Sequence, residues 1–312
     1  MSMCTLCESK NLSLFTNKLR FGNTGNIIRC DRCNLVFLDQ NSFDFPKDFY
    51  ESQYHQTYLT HIDPEILVPQ KHYDKMRKAS APWTKKVKEM LTGTERVLDI
   101  GCSTGHLITG IQDKVAEVFG HELSKKEIDF CKNVLKIDVD DKPLGDRFEK
   151  ESFDLITLVF VFEHIGCPTS FLEELKLYLK PGGKLVIVVP NILDPLVSFY
   201  NIETVKEFYF CIEHLFYYSP ETLLKTLDKA GFDGKIELVQ EYPIANHLNW
   251  IYHGKPRETL VARAHMPTVN IANDAILFEL EEFWEKTNKD YQAMLLRLGY
   301  SDRIWCVAEK KV

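Results

Sequence analysis

A short apolar segment that ends in a glycine turn, VLDIGCSTGHL, sets strong limits on the fold of this chain. Asp99, Gly101 and Gly105 lie where the apolar residues stop. Apolar strands and amphipathic helices alternate after this turn, and FDLITLVFVFEHI and KLVIVVPN each contain a long apolar run, as strands covered on both faces do. Strands that alternate with helices predict an α/β fold with a doubly wound parallel sheet.

Composition excludes several classes of protein. The chain has 312 residues, of which 45% are hydrophobic and 27% charged, as in ordinary globular domains. A net charge of -7 disfavours a broad phosphate-binding surface, so we expect no nucleic-acid partner. The N-terminus lacks the apolar core of a signal peptide, and runs such as LITLVFVF are too short to span a membrane. We therefore expect a cytoplasmic protein without a membrane span.

Four of the nine cysteines form two C-x-x-C pairs. A C-x-x-C turn directs two thiolates at one point, and two such turns complete the tetrahedron that zinc prefers. The pairs predict a zinc ribbon whose closed shell makes the metal structural, and zinc would fold a segment too short to hold a core of its own. The predicted ligands are Cys4, Cys7, Cys30 and Cys33. We interpret the rest as ordinary buried thiols, namely Cys102, Cys131, Cys167, Cys211 and Cys306.

The chain divides into three predicted regions. Residues 1–45 form the zinc-ribbon segment, and residues 46–92 form a linker that turns into a helix over roughly residues 69–91. Residues 93–312 form the alternating domain, interrupted by a lid at about residues 192–218. The stretch PLVSFYNIETVKEFYF within the lid is amphipathic but has no basic run, so we expect a helical lid over the active site and not a membrane-surface helix.

The glycine turn discriminates between ligands. A dinucleotide site has G-x-G-x-x-G to hold a pyrophosphate, whereas this chain has D-x-G-x-x-x-G. The carboxylate of Asp99 would repel pyrophosphate, but it suits a ligand that carries an ammonium and a sulfonium. Glu122 ends the second strand and can hold both hydroxyls of a ribose. One of Asp138, Asp140 and Asp141 in the next acidic loop is expected to accept a hydrogen bond from an adenine amine.

Four stretches taken in order, VLDIGCSTGHL, GHELS, SFDLITLVFVFEHI and LKPGGKLVIVVPN, resemble the successive motifs of class I S-adenosylmethionine-dependent methyltransferases. The resemblance runs from about residue 96 to 191, and more loosely to the C-terminus. It implies a mostly parallel, Rossmann-like sheet of seven strands with S-adenosylmethionine as cofactor. It implies that Asp99, Gly101 and Gly105 form the cofactor loop, that Glu122 binds the ribose, and that the chain around Val161 and Phe162 lines the site. Further candidate cofactor-binding residues are Cys102, Leu123 and Asp140.

A narrower resemblance rests on the zinc segment together with CIEHLFYYSP and EYPIANHLNWIYHGKP. These features resemble bacterial enzymes that methylate sugars and other small metabolites, including C-methyltransferases of nucleotide-linked deoxysugars. The resemblance implies that His214 is the catalytic histidine. Cys211 stands where those C-methyltransferases have a tyrosine, which leaves methylation of oxygen as open as methylation of carbon.

Methyl transfer requires an aligned nucleophile and, for a hydroxyl acceptor, a group that removes its proton. His214 is the first candidate for this base, and His164 at the end of the fourth strand is its rival. Glu213 is also a candidate catalytic residue, although in an extended backbone it points away from His214. The linker supplies three further candidates, Tyr54, His55 and Tyr58.

The expected substrate is a small molecule, namely a sugar or nucleotide sugar. The methyl group is expected to go to one of its hydroxyls or to one of its carbons. Methylases of exocyclic amines have [DN]-P-P-[YF] after the fourth strand, where this chain has VFEHI. Cytosine C5 methylation needs Pro-Cys, whereas here Cys167 precedes Pro168. A nucleic-acid or protein methyltransferase remains an alternative. An inactive zinc-ribbon binding module is a second alternative, against which the intact glycine turn and Glu122 argue.

Overall fold

The computed structural model describes residues 3–42, 64–257 and 274–311. Its strands are, in chain order, β1 (Leu12–Lys18), β2 (Thr24–Cys30), β3 (Val36–Leu38), β4 (Arg96–Ile100), β5 (Glu117–His121), β6 (Val139–Asp140), β7 (Phe153–Val159), β8 (Leu179–Pro190), β9 (Phe216–Tyr217), β10 (Phe232–Val239) and β11 (Arg303–Lys310). Its α-helices are α1 (Pro69–Ala79), α2 (Ala81–Glu89), α3 (His106–Ile111), α4 (Lys125–Phe130), α5 (Leu144–Arg147), α6 (Pro168–Tyr178), α7 (Pro195–Ser198), α8 (Glu203–Tyr209), α9 (Pro220–Lys229), α10 (Ile244–His253) and α11 (Asp274–Arg297). Within these described ranges, no helix is both long and apolar enough to cross a bilayer.

Seven strands form one sheet in the order β10-β11-β8-β7-β4-β5-β6. The pairs β4–β5, β4–β7, β5–β6 and β7–β8 are parallel, which confirms the predicted doubly wound, mostly parallel sheet. β5 and β6 follow β4 towards one edge, whereas β7 pairs with the other side of β4. The order in which strands are added to the sheet therefore reverses at β4, and such a switch point is where open α/β sheets bind ligands.

The chain divides into two compact units. The first comprises Met1–Phe43, Val189–Lys225 and Ile236–Trp305, and the second Asp44–Val188, Thr226–Lys235 and Cys306–Val312. The predicted boundaries at residues 45 and 92 stay predictions, and residues 46–63 of the predicted linker lie outside the described residues. The predicted lid range contains two short helices, α7 and α8, and ends in β9.

A second sheet belongs to the first unit and has the order β1-β2-β3-β9. Its strands pair in an antiparallel manner, with Ile28 opposite Phe37 and Phe37 opposite Phe216. The chain between β1 and β2 makes a 3-10 turn at Arg20–Gly22, where Phe21 takes a positive φ of 61°. This sheet joins the cysteine-bearing hairpin to the CIEHLFYY stretch, because β9 lies within that stretch.

Two elements differ from the sequence expectation. The single helix expected over residues 69–91 is broken at Ser80 into α1 and α2. The cause is Pro82, since proline has no N–H to continue the helix and its ring clashes with the carbonyl four residues earlier. The strand expected to reach His164 ends at Val159, because Phe160 takes a positive φ of 57° and residues 162–164 form a 3-10 turn.

Candidate functional site

The glycine turn follows β4 at the switch point. Gly101, Ser103 and Gly105 take positive φ values of 66°, 49° and 72°. The amide of Gly101 donates to the carbonyl of His121 at 2.8 Å, and the amide of Gly105 donates to the carbonyl of Cys102 at 2.9 Å. The turn is therefore a tight loop whose backbone is bonded to the end of β5.

Packing within the second unit explains the two glycines. A Cβ on Gly101 would lie 2.5 Å from Cγ2 of Val161, and one on Gly105 would lie 2.8 Å from Cδ1 of Ile137. Neither separation is tolerated between carbon atoms, and positive φ disfavours side chains independently. Val161, which sequence reasoning places beside the cofactor, thus lies directly against the loop.

Asp99 lies in β4 opposite Thr157 of β7. Its carboxyl group is buried, and Thr157 Oγ1 donates to it at 2.6 Å. Burial raises the pKa of Asp99 to about 7. A cation bound nearby would offset that burial and keep the carboxylate ionised. This residue therefore favours a positively charged ligand group.

Glu122 follows β5 and reaches back to the loop. Its carboxylate accepts hydrogen bonds from the backbone amides of Ser103, Leu123 and Ser124, each at 2.9 Å. Burial, followed by the neighbouring Glu127, raises the pKa of Glu122 to about 7. A carboxylate has about four acceptor positions, so one remains for a ligand hydroxyl. The side chain of Leu123 itself is exposed.

The acidic loop after β5 presents its three candidates differently. Asp140 ends β6, where it pairs with Lys132 at 3.0 Å and accepts from the amide of Lys142 at 3.0 Å. Burial alone would raise the pKa of Asp140, but these hydrogen bonds lower it to about 2. Asp138 instead pairs with Arg147 at 2.7 Å, and Asp141 is exposed. Asp140 is thus an ionised acceptor at the end of β6.

Sequence reasoning missed a buried group behind the loop. Glu127 of α4 is bonded to Nδ1 of His72 in α1 at 2.8 Å, and Oγ of Ser103 donates to the same carboxylate oxygen at 3.3 Å. His72 and Glu127 are 55 residues apart, so no local pattern joins them. Thr104 is fully buried, and its hydroxyl has no hydrogen-bond partner among the described residues. The position of Thr104 within GCSTG was the only feature of the sequence that could have pointed to this residue.

The four cysteines predicted to bind zinc come together in the first unit. Their sulfur atoms all lie within 4.8 Å of one another. The sulfur pairs Cys4–Cys33 and Cys7–Cys30 are each 3.5 Å apart, and four Zn–S bonds of about 2.3 Å imply sulfur separations of roughly 3.8 Å. The cluster therefore has the dimensions of a tetrahedral zinc site.

The two cysteine turns have matching backbones. The amide of Glu8 donates to the carbonyl of Cys4 at 2.8 Å, and that of Asn34 donates to the carbonyl of Cys30 at 2.9 Å. Both donors take a positive φ, 60° at Glu8 and 64° at Asn34. Of the five cysteines interpreted as buried thiols, Cys167 is the exception, because it is exposed at the start of α6.

A cavity of about 140 Å³ lies within the first unit. Its wall combines hydrogen-bonding side chains with apolar side chains, among them three aromatic rings. The polar set is Arg20, Asp194, His214, Tyr242, Asn246 and Arg303. The apolar set is Pro190, Leu196, Val205, Phe208, Tyr209, Trp250 and Pro256. Cavities of roughly 150 Å³ hold one benzene ring, so this one accommodates one six-membered ring.

His214 lines this cavity, whereas Glu213 does not. The segment is held by Tyr217, whose hydroxyl accepts from the amide of Cys211 at 2.9 Å and donates to its carbonyl at 3.0 Å. Glu213 is buried and lies 3.6 Å from the guanidinium of Arg20. Burial raises the pKa of Glu213, and Arg20 opposes this. The two neighbours thus have separate surroundings, and only His214 faces the cavity.

The rival base lies in the second unit. His164 is half-buried in the 3-10 turn after β7, and its amide donates to the carbonyl of Val161 at 3.0 Å. It therefore follows Val161, a predicted cofactor-binding residue, by a single turn. The three linker candidates Tyr54, His55 and Tyr58 lie outside the described residues.

The strand order, the glycine turn after β4 and the acid after β5 define a Rossmann-like fold of the class I methyltransferase type. A family model described as a methyltransferase domain matches residues 67–235, more than half of the chain. The chain therefore belongs to this methyltransferase-domain family.

Curated relatives match a smaller part. The chain is 30% identical over 115 residues to a ubiquinone biosynthesis O-methyltransferase from Alkalilimnicola ehrlichii, which covers 34% of this chain and 46% of the relative. It is 31% identical over 117 residues to a demethylmenaquinone methyltransferase from Tropheryma whipplei, which covers 34% and 47%. The chain thus spans about half the length of these relatives.

Among solved structures, the fold is similar to a Thermotoga maritima protein described as a SAM-dependent methyltransferase, possible histamine N-methyltransferase. The TM-score is 0.50 at 18% sequence identity, covering 81% of this chain and 97% of that one. At this identity the similarity concerns the fold alone.

Proposed function

We propose that this protein transfers a methyl group from S-adenosylmethionine to a small molecule, at a hydroxyl or a carbon of a sugar or nucleotide sugar. The observation that carries the proposal is the cavity of about 140 Å³ in the first unit, with His214 in its wall. Its polar side chains can donate to and accept from ring hydroxyls, and its aromatic side chains can pack against the ring.

The cofactor site follows from the second unit. The residues that would hold S-adenosylmethionine are the loop from Gly101 to Gly105, Asp99, Glu122 and Asp140. The bound sulfonium supplies a methyl carbon already activated towards displacement. The chain needs only to orient the acceptor and to take its proton, for which His214 is the candidate base.

A second candidate substrate is a phenolic ring. Two observations favour it, namely the four Phe, Tyr and Trp side chains of the cavity wall and the quinone-pathway names of the curated relatives. The deciding experiment incubates the protein with S-adenosylmethionine labelled in its methyl group and with fractionated metabolites. Label in nucleotide sugars supports the proposal, whereas label confined to phenols, to nucleic acid or to protein contradicts it.

We also propose that the cysteine cluster binds one structural zinc ion. Four thiolates would complete the coordination shell and leave no position for a substrate or water. The zinc would stabilise the hairpin of β1 and β2, since metal binding and folding are coupled in such small segments.

We expect Cys30→Ser to remove the zinc, because a hydroxyl is a far poorer ligand than a thiolate. Elemental analysis should find about one zinc per chain in the unaltered protein and almost none in the variant. The unfolding temperature should fall as well. Cys167→Ser is the matched control, since Cys167 is exposed and outside the cluster. Absence of zinc from the unaltered protein, with unfolding insensitive to chelators, would rule the metal out.

We expect Glu122→Ala to weaken S-adenosylmethionine binding by about 1–3 kcal/mol, the usual effect of losing hydrogen bonds to a charged group. The variant loses the acceptor for the ribose and releases the amide of Ser103 in the loop. Titration calorimetry measures the effect, and Glu149→Ala at an exposed position is the control. An unchanged affinity in Glu122→Ala would mean that another group holds the ribose.

A further inference from the structure

Arg20 connects the cysteine-bearing hairpin to the cavity wall. It lies in the turn between β1 and β2, and its amide donates to the carbonyl of Phe210 at 2.7 Å. Its side-chain Nε donates to the carbonyl of Phe208 at 2.5 Å, and the guanidinium lies 4.5 Å from the centre of the Phe208 ring. The side chain is only 14% exposed and lines the cavity. Its position is thus held by backbone and ring contacts.

Arg303, the second arginine of the cavity wall, makes its contacts with other groups of the protein. Arg303 lies 3.3 Å from the carboxylate of Glu241, donates to the carbonyl of Asp302 at 2.9 Å and donates to the hydroxyl of Tyr242 at 3.1 Å. Its two terminal nitrogens therefore donate hydrogen bonds within the protein, and its Nε faces the carboxylate of Glu241 in an ion pair. We assign Arg303 to holding the wall together.

Arg20 retains capacity for a ligand. Its Glu213 partner is 3.6 Å away, longer than the roughly 2.7–2.9 Å of a charge-assisted hydrogen bond. Among the described residues, this contact and the bond to Phe208 engage at most two of the five N–H donors of the guanidinium. The remaining donors form a planar fork that matches a carboxylate or a phosphate.

Burial favours the neutral form of the carboxyl groups around the cavity. Burial raises the pKa of Asp194 and of Glu241 to about 7, and it also raises the pKa of Glu213 and of Asp302. Asp194 and Glu241 are therefore partly protonated near neutrality, whereas a guanidinium remains charged. The positive charge of Arg20 can therefore interact with one anionic group of a ligand.

We propose that the molecule bound in this cavity carries an oxyanion, a carboxylate or a phosphate attached to its ring, and that Arg20 binds this group. The inference rests on the proposed function in taking the cavity as the acceptor site. It gives the cysteine-bearing hairpin a part in substrate selection, because that hairpin supplies the specificity-determining arginine.

The test is titration calorimetry with two matched pairs of probes. Glucose 1-phosphate is compared with glucose, and 3,4-dihydroxybenzoate with catechol, on the full chain. We expect glucose 1-phosphate to bind at least about tenfold more tightly than glucose, the effect of one or more hydrogen bonds to charged groups. Arg20→Gln should abolish this difference.

Arg29→Gln is the control, since Arg29 is an exposed arginine of the same hairpin and does not line the cavity. Zinc content and unfolding temperature of both variants separate a binding effect from loss of the fold. Arg20→Lys, which keeps the charge but not the fork, should recover part of the preference.

The sugar pair and the aromatic pair of probes show whether this inference fails or the proposed function fails. A preference that depends on Arg20 in the aromatic pair alone would uphold the oxyanion site and overturn the sugar substrate. Equal binding of the acidic and neutral members in both pairs, no binding of any probe, or a preference that persists in Arg20→Gln would each overturn the inference.

Discussion

Gly101→Val should abolish S-adenosylmethionine binding, and we expect this to be the largest effect of a single substitution in the second unit. A Cβ at this position meets Cγ2 of Val161 at 2.5 Å, and a β-branched residue is poorly tolerated at a φ of 66°. Val161 or the loop must move. A displaced loop would separate the amide of Ser103 from Glu122, and both sides of the proposed cofactor site would be lost together.

Titration calorimetry should show no measurable binding, a loss of at least about 100-fold, which corresponds to roughly 2.7 kcal/mol. Gly182→Val is the matched control, because Gly182 also has a positive φ, 74°, but has open space where the new side chain would lie. The control carries the backbone strain without the contact. If both variants bind S-adenosylmethionine equally well, the loop is not the cofactor site.

The second large effect is expected at His214. His214→Ala should lower turnover by about 10²–10⁴-fold, the usual contribution of a general base, while S-adenosylmethionine affinity stays nearly intact. The reason is the position of His214, which lines the cavity. Its segment is held in place by the Tyr217 hydroxyl, which is hydrogen-bonded to both the amide and the carbonyl of Cys211. Alanine removes the proton acceptor and leaves those bonds in place.

Single-turnover rates with labelled S-adenosylmethionine measure the effect once an acceptor is known. His253→Ala is the control, since this histidine is exposed at the end of α10. Full activity in His214→Ala would move the base to His164 or remove the need for one. Loss of folding in that variant would assign His214 a structural role, as would loss of cofactor binding.

The features that could be predicted are those that local patterns encode. The apolar runs of β7 and β8 identify buried strands, and the glycines after β4 identify a turn that few other residues can form. The two C-x-x-C pairs identify four sulfur atoms that converge. Ser219 before Pro220 is a local feature of the same kind, since its Oγ accepts from the amide of Thr222 at 3.2 Å at the start of α9.

The predicted ends of two elements were wrong because the backbone conformation of a single residue interrupts a continuous sequence pattern. The apolar run after Phe153 continues to Ile165, but a left-handed residue at Phe160 ends the strand at Val159. The helix before β4 is amphipathic on both sides of Ser80, yet Pro82 interrupts its hydrogen bonds. Hydrophobic periodicity indicates which residues are buried, but it does not indicate where the backbone turns and a strand or helix ends.

Short-range order in this protein follows from the sequence, because strand, turn and cysteine-pair geometry depend on residues that are close together along the chain. Contacts between distant residues were decided only by the tertiary structure. It brings His72 to Glu127, Val161 to Gly101 and Arg20 to the segment that holds His214. Each of these depends on how elements pack, and packing selects partners by shape and burial, which spacing along the chain does not encode.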